Sequence, residues 1–288
     1  MIGLRLAAAV VAGAMCAAPM SAAAADVVTF PSARYLVGSL QQRLARERGV
    51  PVVRAPAETI EGYLSKPDGN GPFPAVVHLH GCGGLAEERR ISAEKQFTNW
   101  GYVTLIVDSF ATRGIKDACA AGDRLPSRQA DAMGALIYLS TLPFVDPKRI
   151  AVVGYSQGGM AALNIASSHS VKLFEMPPDV QYKAAVAYYP MCGAASDELV
   201  IPTLVLIGEL DDWSRAAECR WLMKRWDRKS APLKVVIFPE VYHSFDSAAA
   251  GPYGTRYYGH WLRYNKDATA RAAAETRDFL AAQLVRSP

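Results

Sequence analysis

Nothing in the sequence is long and apolar enough to cross a membrane as a helix. The unbroken apolar run from Leu6 to Met15 falls far short of the roughly 20 residues required. A strong charge of either sign is also missing: 31 Lys and Arg stand against 27 Asp and Glu, a formal net charge of +4. There is no dense basic run and no interleaving of aromatic with basic residues, which argues against nucleic acid as a partner. No C-x-x-C occurs, so a dithiol redox role has no motif to rest on. Histidines number 5. His78 and His80 lie two apart on one strand face, but no Asp, Glu or Cys cluster completes a ligand set. No metal or other cofactor is therefore expected. Internal repeats and low-complexity linkers are lacking too.

What is present begins with a leader. Met1 to Leu6 is short and carries Arg5, the apolar run follows, and Ser21 to Ala25 is a tract of small residues. This is the three-part layout of a secretory signal, with cleavage expected after Ala25. Bulky Met15 directly before Cys16 speaks against a lipid anchor at that cysteine. Residues 26–288 then form one domain, exported to the periplasm or the extracellular space. Cys82, Cys119, Cys192 and Cys219 survive processing, and an even count in an exported protein permits two disulfides.

Short, wholly apolar strands alternate with helical patterns along the domain. Residues 32–49 read as a short amphipathic helix ending at Gly49, residues 57–65 as an edge strand, and Lys66 to Pro74 as a turn. Strands are expected at 75–80, 102–107, 149–153, 183–189, 203–207 and 233–238. Helices are expected at 86–99, 127–142 (with Ser127 as cap), 157–168, 214–228 and 266–285. Strands apolar on both faces mean a mostly parallel central sheet with helices on both faces. Sites in such sheets lie just past the carboxyl ends of the strands.

One strand ends in Gly154-Tyr-Ser156-Gln-Gly158-Gly159, a G-x-S-x-G pattern between strand and helix. The pattern sets the serine on a tight, strained turn. Glycines two residues to either side remove side chains that would collide with the neighbouring strand and helix. The N–H of Gln157 then opens a helix, where donors are unpaired and the dipole favours an anion. Serine is a weak nucleophile and needs a base, which in turn needs an orienting acid. On such a sheet the order along the chain is Ser, then Asp or Glu, then His. The strand at 203–207 ends in Gly208-Glu-Leu-Asp211-Asp212. Asp211 is the favoured acid, Asp212 the alternative or a helix cap, and Glu209 a third candidate. The strand at 233–238 leads to His243, the base. His260, in an aromatic-rich segment, and His169, at a helix end, fit packing or surface roles. Acyl transfer also needs a second N–H donor for the oxyanion. The loop Gly81-Cys82-Gly-Gly84, following His80, supplies it from Gly81 or Cys82.

Together, His80-Gly-Cys-Gly-Gly, Asp108-Ser-Phe with Arg113-Gly114, Gly154-Tyr-Ser156-Gln-Gly-Gly, Tyr189-Pro190, Gly208-Glu-Leu-Asp211-Asp-Trp and Tyr242-His243-Ser-Phe-Asp246 resemble the dienelactone hydrolase family of α/β-hydrolases. The resemblance spans about residues 57–285. It implies an α/β-hydrolase fold and a Ser156, His243, Asp211 triad acting on a small-molecule ester or lactone. The sequence departs from the family at two points. The best-known members carry cysteine where Ser156 stands. They also hold a substrate carboxylate with two arginines. Arg113 matches the first by position, as a substrate-binding residue or a solvated loop charge. Where the second is expected, shortly after His243, stand Phe245, Asp246 and Ser247. A neutral ester or lactone therefore fits better than an anionic dienelactone. Strand order suggests Cys82–Cys119 and Cys192–Cys219 as the disulfides. Peptidase or acyltransferase chemistry, or a silent binding protein on the same fold, are the rival readings. Residues 251–264, long and aromatic, wall the pocket or pack on the surface.

Overall fold

The computed structural model describes residues 25–52, 54, 56–120 and 126–284. The expected leader lies outside the described residues, apart from Ala25. Eight strands form one sheet: β1 (Asp26–Pro31), β2 (Thr59–Ser65), β3 (Phe73–Leu79), β4 (Val103–Asp108), β5 (Val145–Tyr155), β6 (Ala184–Tyr188), β7 (Thr203–Gly208) and β8 (Leu233–Phe238). Their order is β1-β2-β4-β3-β5-β6-β7-β8. The pairs from β4 through β8 are parallel, while β1–β2 and β2–β4 are antiparallel. The larger helices are α1 (Ser39–Glu47), α2 (Glu87–Asn99), α3 (Arg128–Ser140), α4 (Gln157–Ile165), α6 (Ala216–Arg225) and α7 (Lys266–Gln283); α5 (Ser168–Val171) is a single turn. This is the α/β-hydrolase fold.

Strand residues alternate between two cores, one on each face of the sheet. Val76, Ile106, Val153 and Val186 pack with Phe97 of α2, Leu222 of α6 and Leu280 of α7. Their neighbours Val77, Leu105, Val152 and Ala185 pack with Leu136 and Leu139 of α3 and Ala162 and Ile165 of α4. Both faces are dry, so the strands read as continuous apolar runs. Each fully buried Val or Leu contributes about 1.5–3 kcal/mol of transfer free energy.

Three local expectations change. Thr59–Ser65 is not the edge, because β1 pairs outside it; Asp26–Pro31 begins where the expected leader ends. The helix anticipated at 32–49 shrinks to Ser39–Glu47, because Ser32 and Ala33 bond to Glu58 and Ala130 in an extended path. Residues 255–262 add a small hairpin, β9 (Thr255–Tyr257) with β10 (His260–Leu262). Ser127 does cap α3, accepting from Ala130 N–H.

The site end of the sheet is built by close backbone approach. A Cβ on Gly158 would lie 2.3 Å from the Leu79 carbonyl oxygen and 2.6 Å from that of His80; one on Gly154 would lie 2.0 Å from the Gly158 oxygen. Only backbone atoms stand in the way, and none can rotate aside. Gly158→Ala should therefore destabilise the fold by about 3 kcal/mol, as overpacking does, and lower Tm by several degrees in a thermal melt. An unchanged Tm would contradict this contact.

Candidate active site

Ser156 sits between β5 and α4 with φ 53° and ψ −114°. A non-glycine residue there costs about 1–3 kcal/mol and persists only where its surroundings enforce it. Here the Ser156 N–H donates to the Tyr188 carbonyl at 2.9 Å, and its own carbonyl accepts from Met160 N–H at 2.8 Å. The side chain is thereby lifted out of the sheet end.

His243 lies in the loop after β8 and Asp211 in the loop after β7. These loops meet at Gly208, where a Cβ would fall 2.3 Å from the Val241 carbonyl oxygen. That contact is the physical reason for a glycine three residues before the acid. Ser156 Oγ–H donates to His243 Nε2 at 3.1 Å, and His243 Nδ1–H donates to Asp211 Oδ2 at 2.8 Å. Asp211 Oδ1 accepts from the N–H groups of Trp213 (3.0 Å) and Ser214 (2.7 Å). Both carboxylate oxygens are thus occupied, and Asp211 and His243 are buried. Asp212 faces elsewhere. Its carboxylate accepts from Trp261 N–H at 3.0 Å and lies 3.6 Å from His260 Nδ1. It does not cap a helix, since α6 starts at Ala216. Glu209 pairs with Arg220 on the surface.

A cavity of about 170 Å³ opens over Ser156 and His243, with Gly81, Cys82, Trp213 and Tyr257 among its walls. Gly81 approaches the nucleophile closely: a Cβ there would be 3.5 Å from Ser156 Cβ. Gln157 is the first residue of α4, so its N–H has no intrahelical acceptor. Cys82 is bonded to Cys119, and both line the cavity; Cys192 is bonded to Cys219. These are the pairings that strand order suggests.

The structure does not bring Arg113 to this cavity. Its guanidinium donates to both oxygens of buried Asp131 (2.7 and 2.9 Å), to Glu58, and to the Ser109 carbonyl. Asp108 fixes the turn that precedes Arg113. Its Oδ1 accepts from Phe110 and Ala111 N–H and turns the chain away from the strand end. Another arginine, Arg128, which the motifs do not single out, bonds to the segments on either side of Ser156 without lining the cavity. Its Nη2 donates to the His80 carbonyl (2.8 Å) and its Nη1 to Gln157 Oε1 (3.1 Å). Arg128 thus ties together the two backbone segments flanking Ser156. Burial pulls it down to about 10, with Asp131 and Asp108 opposing, so it remains a cation at neutral pH.

A sequence model of the dienelactone hydrolase family matches residues 60–284. The chain belongs to that family. Its fold is shared widely. A dienelactone hydrolase-like promiscuous phosphotriesterase from metagenomic libraries is 19% identical with TM-score 0.64, over 91% of this chain and 100% of its own. An esterase from the Planctomycetes species Thermogutta terrifontis, solved with propionate bound, is 17% identical with TM-score 0.57, over 80% of this chain and 93% of its own. Esterase FrsA of Escherichia coli O157:H7 is 28% identical over 120 residues, 40% of this chain and 27% of that protein. The chain spans 27%, 17% and 46% of the curated relatives it matches.

In this member of the family the two histidines at the end of β3, His78 and His80, are neutral. His80 Nδ1–H donates to the Gly81 carbonyl at 2.7 Å, while Nε2 accepts from Ser109 N–H at 3.3 Å. Burial and the charge of Arg128 hold its pKa well below the ordinary value. Its role is to shape the Gly81 loop. His78 is packed against Tyr155 and Phe97, and its Nδ1 has no partner among the described residues. Burial, helped by Arg89, pushes it down from 6.5 to about 3. Above pH 6.5 His78 is neutral folded or unfolded and has no effect. Below it, the unfolded chain takes up a proton that the folded one refuses, so stability falls by about 1.4 kcal/mol per pH unit until pH reaches about 3. Replacing His78 by Gln should therefore reduce the stability lost between pH 6.5 and 4.5 by about 2–3 kcal/mol in denaturant titrations. Parallel acid limbs for both proteins would contradict it.

Proposed function

We propose that the protein is an exported serine esterase that cleaves a small neutral carboxylic ester or lactone through an acyl-enzyme on Ser156. The observation that carries this reading is the unbroken chain from Ser156 Oγ to His243 Nε2 (3.1 Å) and from His243 Nδ1 to Asp211 Oδ2 (2.8 Å). With Asp211 accepting at Nδ1, the imidazole is held in the tautomer whose Nε2 can take a proton. Ser156 Oγ attacks the carbonyl carbon as its proton passes to Nε2. The oxyanion is met by the Gln157 N–H and one N–H of the Gly81–Cys82 loop. His243 returns the proton to the departing alkoxide, leaving the acyl group on Ser156. Water then repeats the sequence: His243 takes its proton, hydroxide adds to the acyl carbon, and Ser156 leaves with the proton. Asp211 stabilises the imidazolium at both stages.

The cavity of about 170 Å³ is below the usual range for drug-sized ligands, which supports a short acyl chain or a small lactone ring. Export is supported by the two disulfides, which persist in oxidising compartments; the periplasm or the extracellular space would serve.

Ser156→Ala should lower kcat on short-chain esters by a factor on the order of 10⁴ or more, and Asp211→Asn by a comparable factor through the wrong tautomer. Asp212→Asn should stay within about tenfold of the parent. Retained turnover in Ser156→Ala, or a larger loss in Asp212→Asn than in Asp211→Asn, would refute the assignment.

The disulfides separate shape from stability. They close loops of sequence separation 37 and 27, each contributing about 3–4 kcal/mol on the chain-entropy account. Replacing Cys82 and Cys119 by Ser should lower both Tm and kcat, because that bridge forms part of the cavity wall. Replacing Cys192 and Cys219 should lower Tm and spare kcat. Equal kcat losses in the two variants would contradict a role for the first bridge at the oxyanion loop.

A further inference from the structure

Arg89, on α2, reaches the wall of the Ser156 cavity with 31% of its side chain exposed. Its charge is already answered. Nη1 donates to Asp246 Oδ2 at 2.8 Å, and Nη2 donates to Asp246 Oδ1 at 3.1 Å and to the Tyr189 hydroxyl oxygen at 3.3 Å. The Tyr189 hydroxyl donates in turn to Asp246 Oδ1 at 2.7 Å. Asp246 does not line the Ser156 cavity. It lines a smaller one of about 110 Å³, which shares His78, Arg89 and Tyr155 with the first. A ligand over Ser156 therefore meets a guanidinium whose counter-charge is not itself on the cavity wall.

Two consequences follow from this pairing. A guanidinium has five N–H donors, and these contacts leave some of them for a ligand oxygen. Its field, however, is weakened by the carboxylate it is paired with. Among the described residues Arg89 is the only Lys, Arg, Asp or Glu on the cavity wall. A neutral oxygen placed there gains a hydrogen bond. A carboxylate gains a stronger, charge-assisted bond, but with Asp246 offsetting part of the guanidinium's charge that bond does not repay taking the carboxylate out of water, and the nearby Asp246 charge counts against it.

We propose that Asp246 makes this site selective for neutral substrates: the ester or lactone carries a second, uncharged oxygen acceptor that Arg89 binds, and carboxylate-bearing esters are rejected. This rests on the Ser156 reading above and names the substrate that fits it. Asp246 and Arg89 are thus specificity-determining residues.

Three small esters isolate the effect: dimethyl succinate has a neutral second acceptor, monomethyl succinate a carboxylate, and methyl pentanoate neither. Acid release is followed by pH-stat. The parent protein should favour dimethyl succinate over methyl pentanoate, and both over monomethyl succinate, in kcat/KM. Asp246→Asn keeps the shape and removes the charge. It should raise the ratio of monomethyl to dimethyl succinate turnover by about tenfold or more, mainly through KM, and high salt should shrink that gain. Arg89→Gln should bring dimethyl succinate down to the level of methyl pentanoate. A parent protein that prefers monomethyl succinate, or an unchanged ratio in Asp246→Asn, would overturn the proposal. If Asp246→Asn folds poorly, the parent's preference and Arg89→Gln decide the matter alone. Failure of the underlying reading looks different: Ser156→Ala would still hydrolyse dimethyl succinate.

Discussion

The Leu79 and His80 carbonyl oxygens lie so close to Gly158 that no Cβ fits between β3 and the first turn of α4. The active-site region depends on that approach. It sets the Gly81–Cys82 loop against Ser156 and aims the N-terminus of α4 at the same space. A second approach, Gly208 against Val241, does the same for the acid and base loops. Where backbones meet without side chains between them, hydrogen-bond donors can converge on a point. The strain of Ser156 at φ 53° is tolerated because both flanking segments are held.

Around this point the protein distributes cations with care. Arg128 clamps the His80 carbonyl to the Gln157 side chain. Arg113 is tied to Asp131, a carboxylate that also favours the charge on Arg128. Arg89 is tied to Asp246. The histidines beneath, His78 and His80, are kept neutral by burial. Such an arrangement gives the site rigid donors while leaving little net charge at the cavity wall. That balance is the ground on which an uncharged substrate is proposed.

The sheet and the strand–turn–helix that carries Ser156 are readable from sequence because both are local. Continuous apolar runs reported strands buried on both faces, and G-x-S-x-G reported a strand–turn–helix within six residues. Asp211 over Asp212 was readable from spacing alone, although the reason, Gly208 against Val241, joins two separate loops. Arg113 shows where such reading stops. Its place after β4 matches a substrate arginine, but the partner that claims it, Asp131, lies on α3. Arg128 and Arg89 carry no motif, because their meaning comes from carbonyls and carboxylates distant in the chain. In the sequence Asp246 stands only where an arginine is expected, and its pairing with Arg89 on α2 is visible only in the fold. The strand at 26–31 was overlooked beside the leader, and the 255–262 hairpin was hidden by its glycines and aromatics.

The central claim is that Ser156, activated by His243, is the nucleophile. The most direct measurement is peptide mapping by mass spectrometry after reaction of the purified protein with a fluorophosphonate. A single phosphonyl adduct on Ser156, absent in His243→Ala, is the predicted result. Folded protein that hydrolyses esters yet carries no adduct on Ser156, or carries it on another residue, would contradict the account.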